Sequence, residues 1–218
     1  MHKLRYKAVI FDFDDTLVET RKHKWAHHTF VAKKFYNIDL TEETLLQHWG
    51  KPLDVLITEL YQSSDTLEKM YEALISVRNN FLKQPYEGSA EMVQELIKHG
   101  IKIAVLSATN KKYLVEDLIR LDFPVEQISV IQGADETKVH KPDQNVLLPI
   151  LNKFAKEGIS KKDIVKIGDS VIDLKTAKVA GIDFIAVTTG LYSKEDFKKK
   201  GAKIVVQDIR EITKFLIA

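Results

Sequence analysis

The chain has 218 residues, 44% hydrophobic and 29% charged, which is ordinary for a folded globular protein of one large domain, with or without an insert. Its 33 basic and 31 acidic residues leave a formal charge of +2, a balance that points away from nucleic-acid and membrane partners. The absence of cysteine excludes disulfides, thiolate metal sites and cysteine nucleophiles.

The basic segment Met1 to Lys7 precedes only four apolar residues, too few for a signal peptide. No stretch of about 20 apolar residues is present to span a bilayer. A cytoplasmic protein is expected, as a monomer or weak homodimer.

The first apolar run, Ala8 to Phe11, reads as a strand ending at Asp12. Five more runs follow: Ile101 to Leu106 before Ser107, Ile128 to Ile131 before Gln132-Gly133, Ile164 to Ile167 before Gly168-Asp169, Phe184 to Val187, and Lys203 to Val206. Short continuous runs of this kind suit strands buried on both faces. Helical patterns separate them. Met92, Val93, Leu96 and Ile97 form a stripe stopped by His99-Gly100, and a helix should follow Asn110. Further helices are expected over about 143–156, over 171–180 closed by Gly181, and from Asp208 to the C-terminus. Alternation of this type predicts an α/β fold with a parallel sheet.

From about Val18 to Gln84 the alternation stops, and no convincing strand is visible. Leu53, Leu56, Ile57 and Leu60 share one helical face, as do Leu67, Tyr71, Leu74 and Phe81. The expected organisation is therefore a core of residues 1–17 and 85–218 with an all-helical insert of residues 18–84.

Ligands of open parallel sheets bind at the carboxyl ends of the strands. The first strand delivers Asp12 there. Asp14 can reach the same place if the chain bends, and Asp15 tolerates the backbone angles of such a bend. The fourth strand delivers Asp169, with Asp173 four residues on at a helix start. Converging carboxylates raise one another's pKa, and a hard divalent cation resolves the conflict. Oxygen ligands without cysteine point to Mg²⁺. Ser107 could donate to a phosphoryl oxygen, helped by the N–H groups of Ala108 and Thr109, and Lys141 could neutralise an anion. Taken singly, Ser107 would be a helix cap and Lys141 a surface lysine.

In this order, Asp12-Phe13-Asp14-Asp15-Thr16-Leu17, Ser107, Lys141-Pro142 and Gly168-Asp169-Ser170-x-x-Asp173 resemble the haloacid dehalogenase superfamily. The resemblance spans the chain from the first strand to the last helices. It implies a Rossmann-like core with a helical cap inserted after the first motif. It implies Asp12 as nucleophile and Asp14 as general acid and base. Mg²⁺ would be held by Asp12, the backbone carbonyl of Asp14, and Asp169. Asp173 would serve as a ligand or stand just behind the ligands, and Thr16 behind them. Ser107, Ala108 and Lys141 would hold the transferring phosphoryl group. Asp15 departs from the pattern, since glycine is commoner there.

The implied activity is Mg²⁺-dependent hydrolysis of a small phosphate monoester through an aspartyl-phosphate. Gly50-Lys51-Pro52-Leu53 resembles the specificity loop of phosphoglycolate-phosphatase-like members, with Lys51 as a substrate contact, and a plain turn is the alternative. A phosphoglycolate-like or sugar-phosphate substrate is the leading expectation. A sugar-phosphate mutase stays open, with His23 and Lys24 as imperfect matches. So does a phosphonate hydrolase using Lys22, Lys24, Lys33, Lys34 or Lys51, and so does a regulatory or binding protein on the same fold. Asp14 argues against a metal-free dehalogenase, and the long insert against a receiver domain.

Overall fold

The four apolar residues after Lys7 form strand β1 (Ala8–Phe11), buried along its whole length. The computed structural model describes residues 5–49, 51 and 53–217. After β1 come a two-residue strand β2 (Val18–Glu19) and the helices α1 (Arg21–Tyr36), α2 (Glu42–His48), α3 (Leu53–Leu60) and α4 (Leu67–Val77). Next are β3 (Gln84–Pro85), α5 (Ser89–Lys98), β4 (Lys102–Leu106), α6 (Lys111–Arg120) and β5 (Val130–Gln132). The chain continues through α7 (Leu148–Lys156), β6 (Ile164–Gly168), α8 (Val171–Ala180) and β7 (Asp183–Val187), and finishes with α9 (Lys194–Lys199), β8 (Ile204–Val206) and α10 (Thr213–Leu216).

Contacts divide the chain into a sheet unit, up to Glu19 and from Gln84 onward, and a helical unit, Thr20–Lys83. In the sheet unit six parallel strands lie in the order β5-β4-β1-β6-β7-β8. All six expected strands are present, so the α/β fold class is the one read from the sequence. The chain leaves β1 toward β4 and β5, then returns to place β6 on the other side. That reversal opens a crevice at the carboxyl ends of β1, β4 and β6.

The side chains of the sheet alternate between two apolar layers. Val9, Phe11, Ile103, Val105, Val165 and Ile167 belong to one, and Ala8, Ile10, Ala104, Leu106 and Ile164 to the other. Both faces are covered, which explains why the strands read as unbroken apolar runs. Lys166 interrupts the pattern, since it is fully buried in β6.

Three expectations are corrected in detail. β5 starts at Val130 because a 3₁₀ turn, Val125–Gln127, runs into Ile128, whose N–H donates to the Val125 carbonyl. The segment before α7 is a 3₁₀ turn, Gln144–Leu147, and the α-helix begins only where Pro149 sits in its first turn. Proline lacks the N–H that an interior helical position would need. The last helix likewise begins as a 3₁₀ turn, Ile209–Ile212.

The stretch 18–84 is not strand-free at its ends. Val18 pairs with Pro85 and Glu19 with Gln84, antiparallel. Two-residue strands carry no readable period, and this ribbon assigns Val18, Glu19 and Gln84 to the sheet unit.

The helical unit has its own apolar centre, including Val31, Ala32, Leu56, Ile57, Leu60, Met70, Leu74 and Val77. Thr41 and Thr66 cap α2 and α4 by accepting from the N–H groups of Thr44 and Lys69. Leu53 and Leu67, read as members of the buried stripes, are exposed at the starts of their helices. Among the described residues, no helix is long and apolar enough to cross a membrane.

Candidate active site

Asp12 leaves β1 still paired to the neighbouring strand, its N–H donating to the Ile167 carbonyl at 2.9 Å. The chain then turns sharply. The Phe13 carbonyl accepts from Leu17 at 2.9 Å and Val18 at 3.2 Å. Asp15 takes a left-handed backbone angle, φ 53°, which explains why glycine is common at such a position and why aspartate is tolerated. The turn brings Asp14 back beside the end of β4. There Asp14 Oδ2 accepts from the Ser107 hydroxyl and the Thr109 hydroxyl, both at 3.0 Å. Ser107 Oγ in turn accepts from the Thr109 N–H at 2.9 Å.

The end of β6 supplies the other half of the site. A Cβ on Gly168 would lie 2.6 Å from the Asp173 side chain, so only glycine lets Asp173 approach the strand end. Ser170 caps α8, accepting from the Asp173 N–H at 3.1 Å and donating its hydroxyl to Asp173 Oδ2. Lys141, joined to Pro142 by a cis peptide, places its ammonium 2.6 Å from Asp12 Oδ1 and 2.9 Å from Asp173 Oδ1. Thr16 donates to Asp169 Oδ1 at 3.0 Å.

One oxygen each of Asp12, Asp169 and Asp173 lies within 4.8 Å of the others. All three residues are buried. Burial pushes the Asp12 carboxyl up to about 6 against the pull of Lys141. Asp169 is held well above the usual carboxylate range by burial and by the charges of Asp12, Asp173 and Asp15. At Asp173 burial acts in the same upward direction, but the ammonium groups of Lys141 and Lys166 and the hydrogen bonds outweigh it, and its pKa falls. The charge balance is therefore uneven. Asp12 and Asp173 have ammonium partners, whereas Asp169 has only the Thr16 hydroxyl among the described residues. A buried carboxylate without a cation is costly. The oxygen donors of this cluster fit a hard divalent ion.

The residues read from the sequence thus fall into two groups. Asp12, Thr16, Lys141, Asp169 and Asp173 form one linked set and Asp14 and Ser107 a second, and Ala108 is exposed between Ser107 and Thr109. Lys51 belongs to the helical unit, where its ammonium pairs with Glu59, which also binds His48. Gly50 and Pro52, read as parts of a specificity loop, lie outside the described residues.

Four contacts go beyond the roles read from the motifs. The Thr109 hydroxyl binds Asp14, the Ser170 side chain binds Asp173, and Lys166 lies 2.8 Å from Asp173. The fourth is Gly190, where a Cβ would come within 2.0 Å of Asp169 Oδ2. Thr189 and Gly190, just past a predicted strand end, were the available signal, because strand ends of this sheet share one edge.

The family model for haloacid dehalogenase-like hydrolases matches residues 9–187. A Caldanaerobacter subterraneus protein provisionally assigned as a pyrophosphatase is 21% identical over 98% of this chain and 96% of its own length. A phosphoglycolate phosphatase of Nitrosospira multiformis is 22% identical, with the same two coverages. Among solved structures, a Thermotoga maritima protein provisionally assigned as a beta-phosphoglucomutase superposes with a TM-score of 0.81. It is 25% identical over 95% of this chain and 97% of that one.

Proposed function

Because the chain belongs to the haloacid dehalogenase-like hydrolases and is a phosphohydrolase of that family, we propose that it hydrolyses a small phosphate monoester through an aspartyl-phosphate on Asp12. The observation that carries this reading is the Lys141 ammonium 2.6 Å from a buried Asp12 carboxylate, with the uncompensated Asp169 beside it. A phosphate monoester and Asp12 are both anions, so their approach requires concentrated positive charge.

Asp12, Asp169 and the backbone carbonyl of Asp14 would hold Mg²⁺. Bound there, the ion would supply that charge and orient the phosphoryl oxygens. Asp173 would stand behind these ligands, a reading supported by its Oδ1 facing two ammonium groups and its Oδ2 accepting from Ser170.

Asp12 attacks phosphorus, and the bond to the leaving oxygen breaks. Asp14 delivers a proton to that oxygen, a task for which its contact with the Thr109 hydroxyl sets its orientation. Lys141, Ser107 and the Ala108 amide hold the phosphoryl oxygens. Asp14 then takes a proton from water, which attacks phosphorus and frees Asp12. Lys51 is the substrate contact we assign to the helical unit, where a substrate anion would compete with Glu59 for its ammonium.

The leading substrates are phosphoglycolate-like or sugar phosphates. The test is phosphate release from 2-phosphoglycolate, hexose phosphates and p-nitrophenyl phosphate with Mg²⁺. Asp12→Asn is expected to lose about 10⁴-fold or more in kcat while staying folded. Undiminished turnover in that variant would remove the nucleophile and the reading with it.

A further inference from the structure

Lys166 is the one side chain of the central strands whose chemistry the reaction above does not use. It is fully buried, on the face of β6 that also carries Ile164. Its ammonium lies 2.8 Å from Asp173 Oδ1, but off the line of a good hydrogen bond, and it has no hydrogen-bond partner among the described residues. A buried, incompletely satisfied ammonium calls for an explanation. Packing alone does not provide one, because methionine would fill the same space without burying a charge.

The local geometry supplies a reason. Residues 166 and 168 point to the same face of the strand. Position 168 is glycine, and the Asp173 carboxylate occupies the room its side chain would take. The stem of Lys166 therefore brings its charge up beneath Asp173 from inside the sheet. Asp173 Oδ1 is shared by two ammonium groups, Lys166 at 2.8 Å and Lys141 at 2.9 Å. Lys141 is shared in the other direction, between Asp173 and Asp12.

We propose that Lys166 is a positioning residue: it satisfies the charge of Asp173 from below, so that Lys141 leans toward Asp12 and the phosphoryl group instead of collapsing onto Asp173. The proposal rests on the hydrolytic reading, because it assigns Lys141 a task at Asp12. Without Lys166, Asp173 would face Lys141 as its only ammonium partner. The attraction would draw Lys141 away from the reacting atoms.

The test is Lys166→Met, assayed with Mg²⁺ and p-nitrophenyl phosphate at a temperature well below the melting point. The expected result is a fall in kcat of about 10–100-fold, the cost of misplacing a group near the chemistry. KM should change less than about threefold, since binding groups other than Lys141 are untouched. In an Asp173→Asn background the same change should have almost no further effect, because the partner through which Lys166 acts is gone. A crystal structure of Lys166→Met should show Lys141 withdrawn from Asp12. Wild-type kcat, losses that multiply with those of Asp173→Asn, or an unmoved Lys141 would each overturn the proposal.

If the methionine variant does not fold, the absence of cysteine elsewhere offers a second route. Lys166→Cys can be alkylated while unfolded, either with 2-bromoethylamine to restore an ammonium or with bromoethane to leave a neutral chain. Turnover recovered after refolding with the first and not the second supports the charge, and equal recovery overturns it. Asp12→Asn, run alongside, separates the two failures. If it is active, the hydrolytic reading fails. If it is dead while Lys166→Met is fully active, only the role of Lys166 fails.

Discussion

In the sheet unit Asp12, Asp169 and Asp173 are buried as a group, whereas the helical unit holds a buried histidine, His28, beside a half-buried one, His27. The physical problem is the same, an ionisable group removed from water, and the responses are opposite. The carboxylates stand together and keep a demand for positive charge that Lys141 and Lys166 meet only in part. The histidines avoid the demand by staying neutral. Burial lowers His28 to about 3, with His27 and Lys24 acting in the same direction, and its ring pairs with the Tyr61 hydroxyl at 2.9 Å. Burial also lowers His27, whose Nε2 lies 3.0 Å from the Leu74 carbonyl. A cluster built for a cation is left under electrostatic stress without it, and a cluster built for packing is not. Cation binding and acid should therefore act differently on the two regions.

The largest effect expected is on the cation. Gly190→Ala would push a methyl group against Asp169 Oδ2. Asp169 is the one of the three carboxylates with no ammonium partner among the described residues, so its displacement should weaken Mg²⁺ binding by about 10–100-fold, the usual cost of disturbing the support of a ligand. Titration calorimetry on the metal-free variant reads this directly. Unchanged affinity would remove Asp169 from the ligand set. Thr16→Val, which deletes the hydroxyl bound to Asp169, should weaken binding in the same direction.

Gly190 also marks the limit of what the sequence tells. The runs ending at Asp12, Ser107 and Asp169 are legible because strand, turn and acid are neighbours in the chain, and the sheet brings their ends together. The helical insert is legible as a loss of alternation. Gly190 and Asp169 sit on the ends of adjacent strands, yet nothing in either segment states that they touch. Thr109 reads as part of a helix start, and Lys166 as a break in an apolar run. Their meaning comes from Asp14 and Asp173, partners brought near only by the fold. Lys51 shows the reverse case, where local sequence suggested a substrate contact and the fold pairs its ammonium with Glu59.

The second expected effect concerns the metal-free sheet unit. Asp12 is raised from 3.8 to about 6 on folding. A raised carboxylate contributes stability that is fully present below about pH 4 and lost as pH climbs through 6. Acidifying the metal-free protein from pH 7.5 to 4 should therefore gain on the order of 2 kcal/mol from this group. Asp12→Asn should erase that gain, which makes the difference between the two pH profiles the quantity to measure by denaturant unfolding. Mg²⁺ competes with protons for the same oxygens, so its stabilising effect should shrink as the pH falls. A metal-induced stabilisation equal at pH 5 and pH 7.5 would contradict the assignment.

The smallest effect has the opposite sign and belongs to the helical unit. His28 is depressed on folding, so the unfolded chain takes up a proton below pH 6.5 that the folded chain refuses until about pH 3. Its contribution is present above pH 6.5 and lost on acidification, by about 1.4 kcal/mol at pH 5.5. The loss runs against the gain from Asp12 in the same pH range, so the wild-type profile contains both terms. His28→Phe keeps an aromatic ring in the packed site and removes the proton. It also strips the Tyr61 hydroxyl of its partner, which costs about 1–3 kcal/mol at every pH. The informative quantity is therefore the slope. Between pH 6.5 and 5.5 the phenylalanine variant should lose about 1 kcal/mol less than the wild type. Parallel profiles would mean that His28 can accept its proton inside the fold, and the contrast between the two units would then fail on the helical side.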